Sequence, residues 1–144
     1  MKTIGAATSG SITLNDTTVA LSGSSSDLST IFSETITTHT GTVTLTTDSV
    51  YTVDELKTIN NKTTGAITLN DTTVALSGDA TDLAVALAGT INHTGAVTVT
   101  TDSNYTVSEL VTIAGGTSGT ITLNDRTVAS VSYTHLRAHE TRSY

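Results

Sequence analysis

Apolar and polar residues alternate through one short phrase that returns five times along the chain. Ser/Thr-Gly-x-Ile/Val-Thr-Leu/Val is built on Gly10, Gly41, Gly65, Gly95 and Gly119. Within it Ile12 and Leu14 alternate with Ser11, Thr13 and Asn15. The same holds for Val43/Leu45, Ile67/Leu69, Val97/Val99 and Ile121/Leu123. A period of two with one apolar side predicts a half-buried strand at each copy. Two of the strands are followed by a different rhythm. Thr52-Val53-Asp54-Glu55-Leu56 and Thr106-Val107-Ser108-Glu109-Leu110 place Glu three residues after Thr. That spacing is a capping box, in which each side chain satisfies a free amide at a helix start. Val107, Leu110, Val111 and Ala114 then fall at i, i+3, i+4 and i+7, one apolar helical stripe.

The glycines are separated by 31, 24, 30 and 24 residues, so a long and a short unit alternate. The long unit adds a second extended piece, Val19-Ala20-Leu21 or Val74-Ala75-Leu76, after an Asn-Asp turn. A helical stretch follows over Asp27–Ile36 or Asp82–Ala88, with an Asp near its start to suit the positive end of the helix dipole. Self-similarity at this period marks a solenoid or array. Strand, turn, helix and strand again is the crossover rhythm of a parallel sheet. The expected fold is therefore an α/β repeat solenoid, with one parallel strand plus a turn or short helix per coil of about 24–31 residues. The alternative is a compact α+β domain, because Ile-Thr-Leu-Asn-Asp-Thr-Thr-Val-Ala-Leu also reads as a hairpin closed by its Asn-Asp pair.

Repeat alignment divides the chain into five stretches. Residues 1–9 match the end of a repeat, 10–64 and 65–118 are two full units, and 119–129 begin a third. Ile12–Gly23 and Ile67–Gly78 are identical, and the third copy keeps register from Ile121 to Ala129 with Arg126 in place of Thr17 and Thr72. Residues 130–144 do not match. Both edges fall inside a unit, and no atypical capping repeat of the kind that ends solenoids is present. The expectation is an excerpt from a longer array, whose first partners are neighbouring repeats of the same chain.

Composition narrows the function classes. Thr makes up about a quarter of the 144 residues, whereas Cys, Pro and Trp are absent and Phe32 is the one phenylalanine. The core must come from Ile, Val, Leu and Ala, and β-branched Thr suits pleated surfaces. The net charge is −7, and residues 1–129 carry 12 acidic against 4 basic side chains, a formal −8. Nucleic acid and anionic membranes both call for a basic face, so neither is an expected partner. No apolar run reaches the length of a membrane span.

Two periodic arrays are candidate chemistry. If Ile and Leu point inward, Thr13, Thr44, Thr68, Thr98 and Thr122 point outward and stack in one file, with strands about 4.8 Å apart. Such a lattice resembles the flat Thr-x-Thr faces of ice-binding β-solenoids, although Asn and Ala interrupt the flanking files. The plain alternative is that Thr is the polar residue a wet strand tolerates best. Asp16, Asp48, Asp71, Asp102 and Asp125 each follow a strand at nearly the same place. Stacked carboxylates repel, and Ca²⁺ would relieve that repulsion through oxygen ligands; alternatively each Asp closes a turn on its own backbone. His39 and His93 occupy equivalent places before Thr-Gly and read as surface turn residues. His135 and His139, four apart in the tail, have no third metal ligand. No nucleophile elbow or phosphate-cradling loop occurs, and nearly every polar residue recurs with its repeat, so no enzyme is expected.

The Ser/Thr-Gly-x-Ile-Thr-Leu strand and the Tyr-Thr-Val-x-Glu-Leu helix start (Tyr51–Leu56, Tyr105–Leu110) resemble repeats of very long, Thr-rich, acidic proteins secreted by marine bacteria and cyanobacteria. The resemblance spans residues 1–129. It implies a non-enzymatic structural or adhesive segment at the cell surface or outside the cell, facing surface glycans or a mineral or ice surface. Val131-Ser132-Tyr133-Thr134-His135-Leu136-Arg137-Ala138-His139-Glu140-Thr141 is instead similar to the conceptual translation of sequencing-adapter read-through in metagenomic reading frames.

Overall fold

The repeated phrase does form strands, and all of them run parallel. The computed structural model describes residues 10–34, 36–46, 50–100 and 105–124. In chain order the elements are β1 (Leu21–Gly23), α1 (Ser25–Ser33), β2 (Val43–Leu45), α2 (Val53–Asn60), β3 (Ile67–Thr68), β4 (Leu76–Gly78), α3 (Ala80–Ala86), β5 (Val97–Val99), α4 (Val107–Gly116) and β6 (Ile121–Leu123). They make an α/β structure with two open three-stranded sheets, β1-β2-β3 and β4-β5-β6.

Register explains the unequal glycine gaps. Val43 pairs with Ile67 and Val97 with Ile121, each 24 residues on. Isolated bridges Ile12–Ile36, Ile67–Ile91, His39–Thr63 and His93–Thr117 keep the same offset. The extra residues of the long unit do not lengthen this step. Instead its two extended pieces serve different neighbours: β3 pairs back to β2, and β4 pairs forward to β5. The arms that a hairpin would join, β3 and β4 on either side of Asn70-Asp71, lie in different sheets. In the first copy Ile12 makes only the bridge to Ile36, and β1 begins at Leu21.

Each helix packs on the next in sequence, α1 on α2, α2 on α3 and α3 on α4. Local chemistry starts them. Thr52 and Thr106 form the expected capping boxes, with Thr52 N donating to Glu55 Oε2 at 2.9 Å and Glu55 N to Thr52 Oγ1 at 3.3 Å. The long-unit helices begin earlier than the spacing predicts. Ser24 and Asp79 are the caps, and Asp27 and Asp82 supply the backbone N–H they accept, at 3.1 and 2.7 Å. Strand and helix faces meet in one core that includes Phe32, Val43, Leu45, Leu56, Ile59, Leu83, Val97 and Ile113.

The glycine of the phrase is required by distance rather than by backbone angle. Only Gly89, outside the phrase, has a positive φ. A Cβ on Gly65 would overlap the carbonyl of Gly41, and one on Gly119 the carbonyl of Gly95. Backbone thus lies directly on backbone where successive units meet.

One expectation about α4 is overturned. Of the stripe Val107, Leu110, Val111 and Ala114, Leu110 is half-buried and Ala114 is exposed, while Val107 and Val111 are 64% and 65% exposed. The residues that α4 buries are Ile113 and Gly116.

Candidate functional site

The most organised polar centres are two histidines that the sequence reading had placed on the surface. His39 and His93 are fully buried. Each lies two residues before a phrase glycine, and in the next unit that position is Thr63 or Thr117. His39 Nε2 is 2.8 Å from the Val19 carbonyl of the preceding unit, and Nδ1 is 3.2 Å from Thr63 Oγ1 of the following one. His93 repeats this with Val74 O at 2.7 Å and Thr117 Oγ1 at 2.9 Å. Nε2 must donate to its carbonyl, so in the neutral ring Nδ1 accepts the Thr hydroxyl proton. Thr63 Oγ1 in turn accepts from Gly65 N at 3.1 Å, and Thr117 Oγ1 from Gly119 N at 3.0 Å. Three successive units are joined through one imidazole. Phe32 and Tyr51 close the edges, with ring centroids 6.0 Å from His39 and 6.5 Å from His93.

A hydroxyl beside an imidazole is also the start of a nucleophile–base pair. Here neither member can be reached by a substrate, since Thr63 and Thr117 are buried with their histidines. A backbone carbonyl, not a carboxylate, orients the ring. Among the described residues no buried side-chain polar atom lacks a partner. The signal was present in the sequence: the position two before each phrase glycine reads Thr8, His39, Thr63, His93, Thr117. The alternation of His and Thr follows the alternation of long and short units.

Tyr51 adds another tie between units. Its ring is buried, its OH donates to the Asp71 carbonyl at 2.7 Å, and burial pushes its phenol up to about 12. On the helical side Lys57 bridges α2 to α3 through Asp82 at 2.7 Å, with Asp54 at 3.6 Å. The hydrogen bond from Asp82 is the main cause that raises Lys57 above the ordinary lysine value. The capping glutamates also reach across. Glu55 Oε2 accepts from Ser25 Oγ at 3.1 Å, and Glu109 Oε1 from Thr81 Oγ1 at 2.8 Å.

The aspartate file resolves differently from its calcium reading where it is described. Asp16 Oδ1 accepts from Thr18 N at 2.8 Å and from Thr18 Oγ1 at 2.6 Å. Asp71 does the same with Thr73, at 2.8 and 2.7 Å. Those side-chain and backbone hydrogen bonds hold both carboxyls below the ordinary Asp value. These are turns closed on their own backbone. Asp48, Asp102 and Asp125 lie outside the described residues. Among the described residues no three His, Asp or Glu side chains converge as a metal cage would require.

The threonine file is interrupted. Thr44 pairs with Thr68 and Thr98 with Thr122, as the outward lattice needs. The partners on the other side of Thr44 and Thr98 are Ser22 and Ser77. Thr13 stands outside the named strands, and no ladder joins Thr68 to Thr98. The single five-member file becomes two short ones, because β1 and β4, not the Ile-Thr-Leu pieces, lead into the next unit.

Two shallow grooves remain. One of about 240 Å³ runs between α1 and α2 past Ser29, Thr30, Asp54 and Glu55. The other, about 380 Å³, opens at the seam between the two sheets, past Thr68, Thr72, Thr90 and Asn92 over Ile67 and Leu69. Neither gathers an acid–base pair. In comparisons with known proteins, the chain matches no family model, no curated protein and no solved structure.

Proposed function

We propose that this chain is part of an open-ended α/β solenoid serving as a non-enzymatic structural or adhesive segment of a larger extracellular repeat protein. The observation that carries the reading is how the recurring side chains are used. His39, His93, Thr63, Thr117 and Tyr51 all bond across units, and the phrase glycines let backbone lie on backbone. Residues spent on attachment are not free for chemistry on a substrate. The constant 24-residue offset and the in-order packing of the helices support stacked coils. The extracellular setting follows from the Thr-rich, acidic composition and the family resemblance; the partners are further repeats, then surface glycans.

The apolar face of α4 supports continuation by one more copy of the repeat. Val107 stands where α2 has Val53, and Val53 is partly buried against the core, with its methyl groups beside Gly78. A further copy would supply that missing neighbour. The test inserts one and then two extra copies of residues 65–118 after Ser118. Stacked coils raise the melting temperature with each copy and lengthen the particle in small-angle scattering by a constant increment. A compact domain repeated as beads would keep one melting temperature, and that result would sink the solenoid.

The ice or crystalline-surface alternative keeps the side-by-side pairs Thr44–Thr68 and Thr98–Thr122 in its favour. It requires ice recrystallisation inhibition that Thr68→Lys and Thr122→Lys abolish. Calcium as a stiffening ion requires a rise in melting temperature in millimolar calcium over chelator. The turn bonds of Asp16 and Asp71 favour no rise.

A further inference from the structure

We propose that Asn15, Asn70 and Asn92 are acceptor sites for an N-linked sugar. Five of the seven asparagines stand in the tripeptide Asn-x-Thr: Asn15, Asn61, Asn70, Asn92 and Asn104. That tripeptide is the acceptor read by N-glycosylating transferases. In a Thr-rich chain it arises often by composition alone, so the side chains decide. Asn15, Asn61, Asn70 and Asn92 are all exposed; Asn104 lies outside the described residues. The asparagines outside the tripeptide behave otherwise. Asn60 Nδ2 donates to the carbonyls of Val85 and Ala88 at 2.6 and 3.0 Å, and Asn124 Nδ2 to Thr100 O at 3.3 Å. The amides that hold structure are not in acceptor tripeptides, and the exposed acceptor amides are not used to hold structure.

The third residue separates the four described tripeptides. A transferase must reach the Thr hydroxyl as well as the amide. Thr94 is exposed, and Thr17 and Thr72 are half-buried at the surface, where they pair with Thr40 and Thr94. Thr63 is buried under His39 and tied to it. Asn61 therefore has an accessible amide but a sealed recognition group, and it is excluded while the chain is folded. Asp16 and Asp71 fill the middle position at Asn15 and Asn70. Their carboxylates repel an anionic sugar donor, so Asn92, with buried His93 in the middle, reacts fastest.

The reaction joins Asn Nδ2 to C1 of a hexose carried on a nucleoside diphosphate. The N–C1 bond forms as the C1–O bond to the diphosphate breaks. The diphosphate leaves with the electron pair, and one amide proton passes to a carboxylate base of the transferase. This acceptor chemistry rests on the asparagines and threonines alone, and it stands or falls separately from the structural role proposed above.

The test incubates the folded, full-length chain with a soluble Asn-x-Thr transferase and nucleoside-diphosphate glucose, read by intact mass and peptide fragmentation. Hexose is expected on Asn92 first, then on Asn15 and Asn70, with none on Asn60, Asn61 or Asn124. Asn92→Gln should remove the fastest site and leave the melting temperature unchanged, since no protein group depends on that amide. A folded chain left unmodified, under conditions that modify a peptide spanning residues 88–98, overturns the proposal. So does a hexose on Asn61 before Asn92.

Discussion

Helices α2 and α4 begin from nearly the same words and end in different surroundings. Tyr-Thr-Val-x-Glu-Leu opens both, and both carry a complete capping box. Yet α2 lies between α1 and α3, with Leu56 and Ile59 fully buried and Val53 partly so. In α4 the equivalent Val107 is 64% exposed, and only Ile113 and Gly116 are buried. The cap is a contract between residues three apart, so it forms wherever the words occur. Burial depends on which neighbour arrives, and no local word specifies that.

The largest break in the comparison should come from matched core truncations. Leu56→Ala removes a fully buried side chain and should cost roughly 2–5 kcal/mol in denaturant unfolding. Leu110→Ala, at the equivalent but half-buried place, should cost less than half as much. Equal losses would mean that α4 is covered in solution.

The next pair tests the missing neighbour directly. Val53→Lys should cost about 1–2 kcal/mol by stripping apolar cover from β4 and α3. Val107→Lys should stay within about 0.5 kcal/mol in this chain. With another copy of residues 65–118 inserted after Ser118, Val107→Lys should become as costly as Val53→Lys.

A smaller and equal effect is expected at the caps. Thr52→Ala and Thr106→Ala should each cost about 1 kcal/mol, because the cap works the same way whether or not the helix is covered. A much larger loss at Thr52 would show that the cap has a tertiary duty in α2 that it lacks in α4.

Acid should give the smallest effect, and it has a definite sign. Hydrogen bonds from the Thr106 backbone, then from the Thr81 and Thr106 hydroxyls, hold Glu109 below its ordinary 4.5. Thr18 and Thr73 likewise hold Asp16 and Asp71 below 3.8. A depressed carboxyl takes up its proton more readily in the unfolded chain, so stability rises with pH across this range. The unfolding midpoint in urea should be flat above about pH 5.5 and fall below it as the three groups protonate. Thr81→Ala should shrink that fall by removing one of the bonds to Glu109.

Much was legible from local pattern. The five strand phrases, both capping boxes and the Asp turns all depend on residues within a few positions of one another. The misreadings share one cause, which is that their partners lie a whole unit away. His39 and His93 read as surface turns because Val19, Val74, Thr63 and Thr117 are 19 to 24 residues distant. The Thr13 file failed because the long unit offers two extended pieces, and only tertiary pairing chooses which meets the next strand. The asparagine tripeptides were in plain view, but Thr63 and Thr94 cannot be told apart until one is seen buried and the other exposed.

By itself the sequence determined a Thr-rich, acidic α/β repeat with parallel strands, capped helices and no concentrated catalytic chemistry. Alternation and short-range hydrogen bonding are written in neighbouring letters. Tertiary structure alone decided the 24-residue step and the division into two sheets. It also decided the imidazole ties and the exposed face of α4. Each of those is a choice among competing partners far apart in the chain, and it is settled by which packing buries apolar surface while leaving every buried polar group bonded.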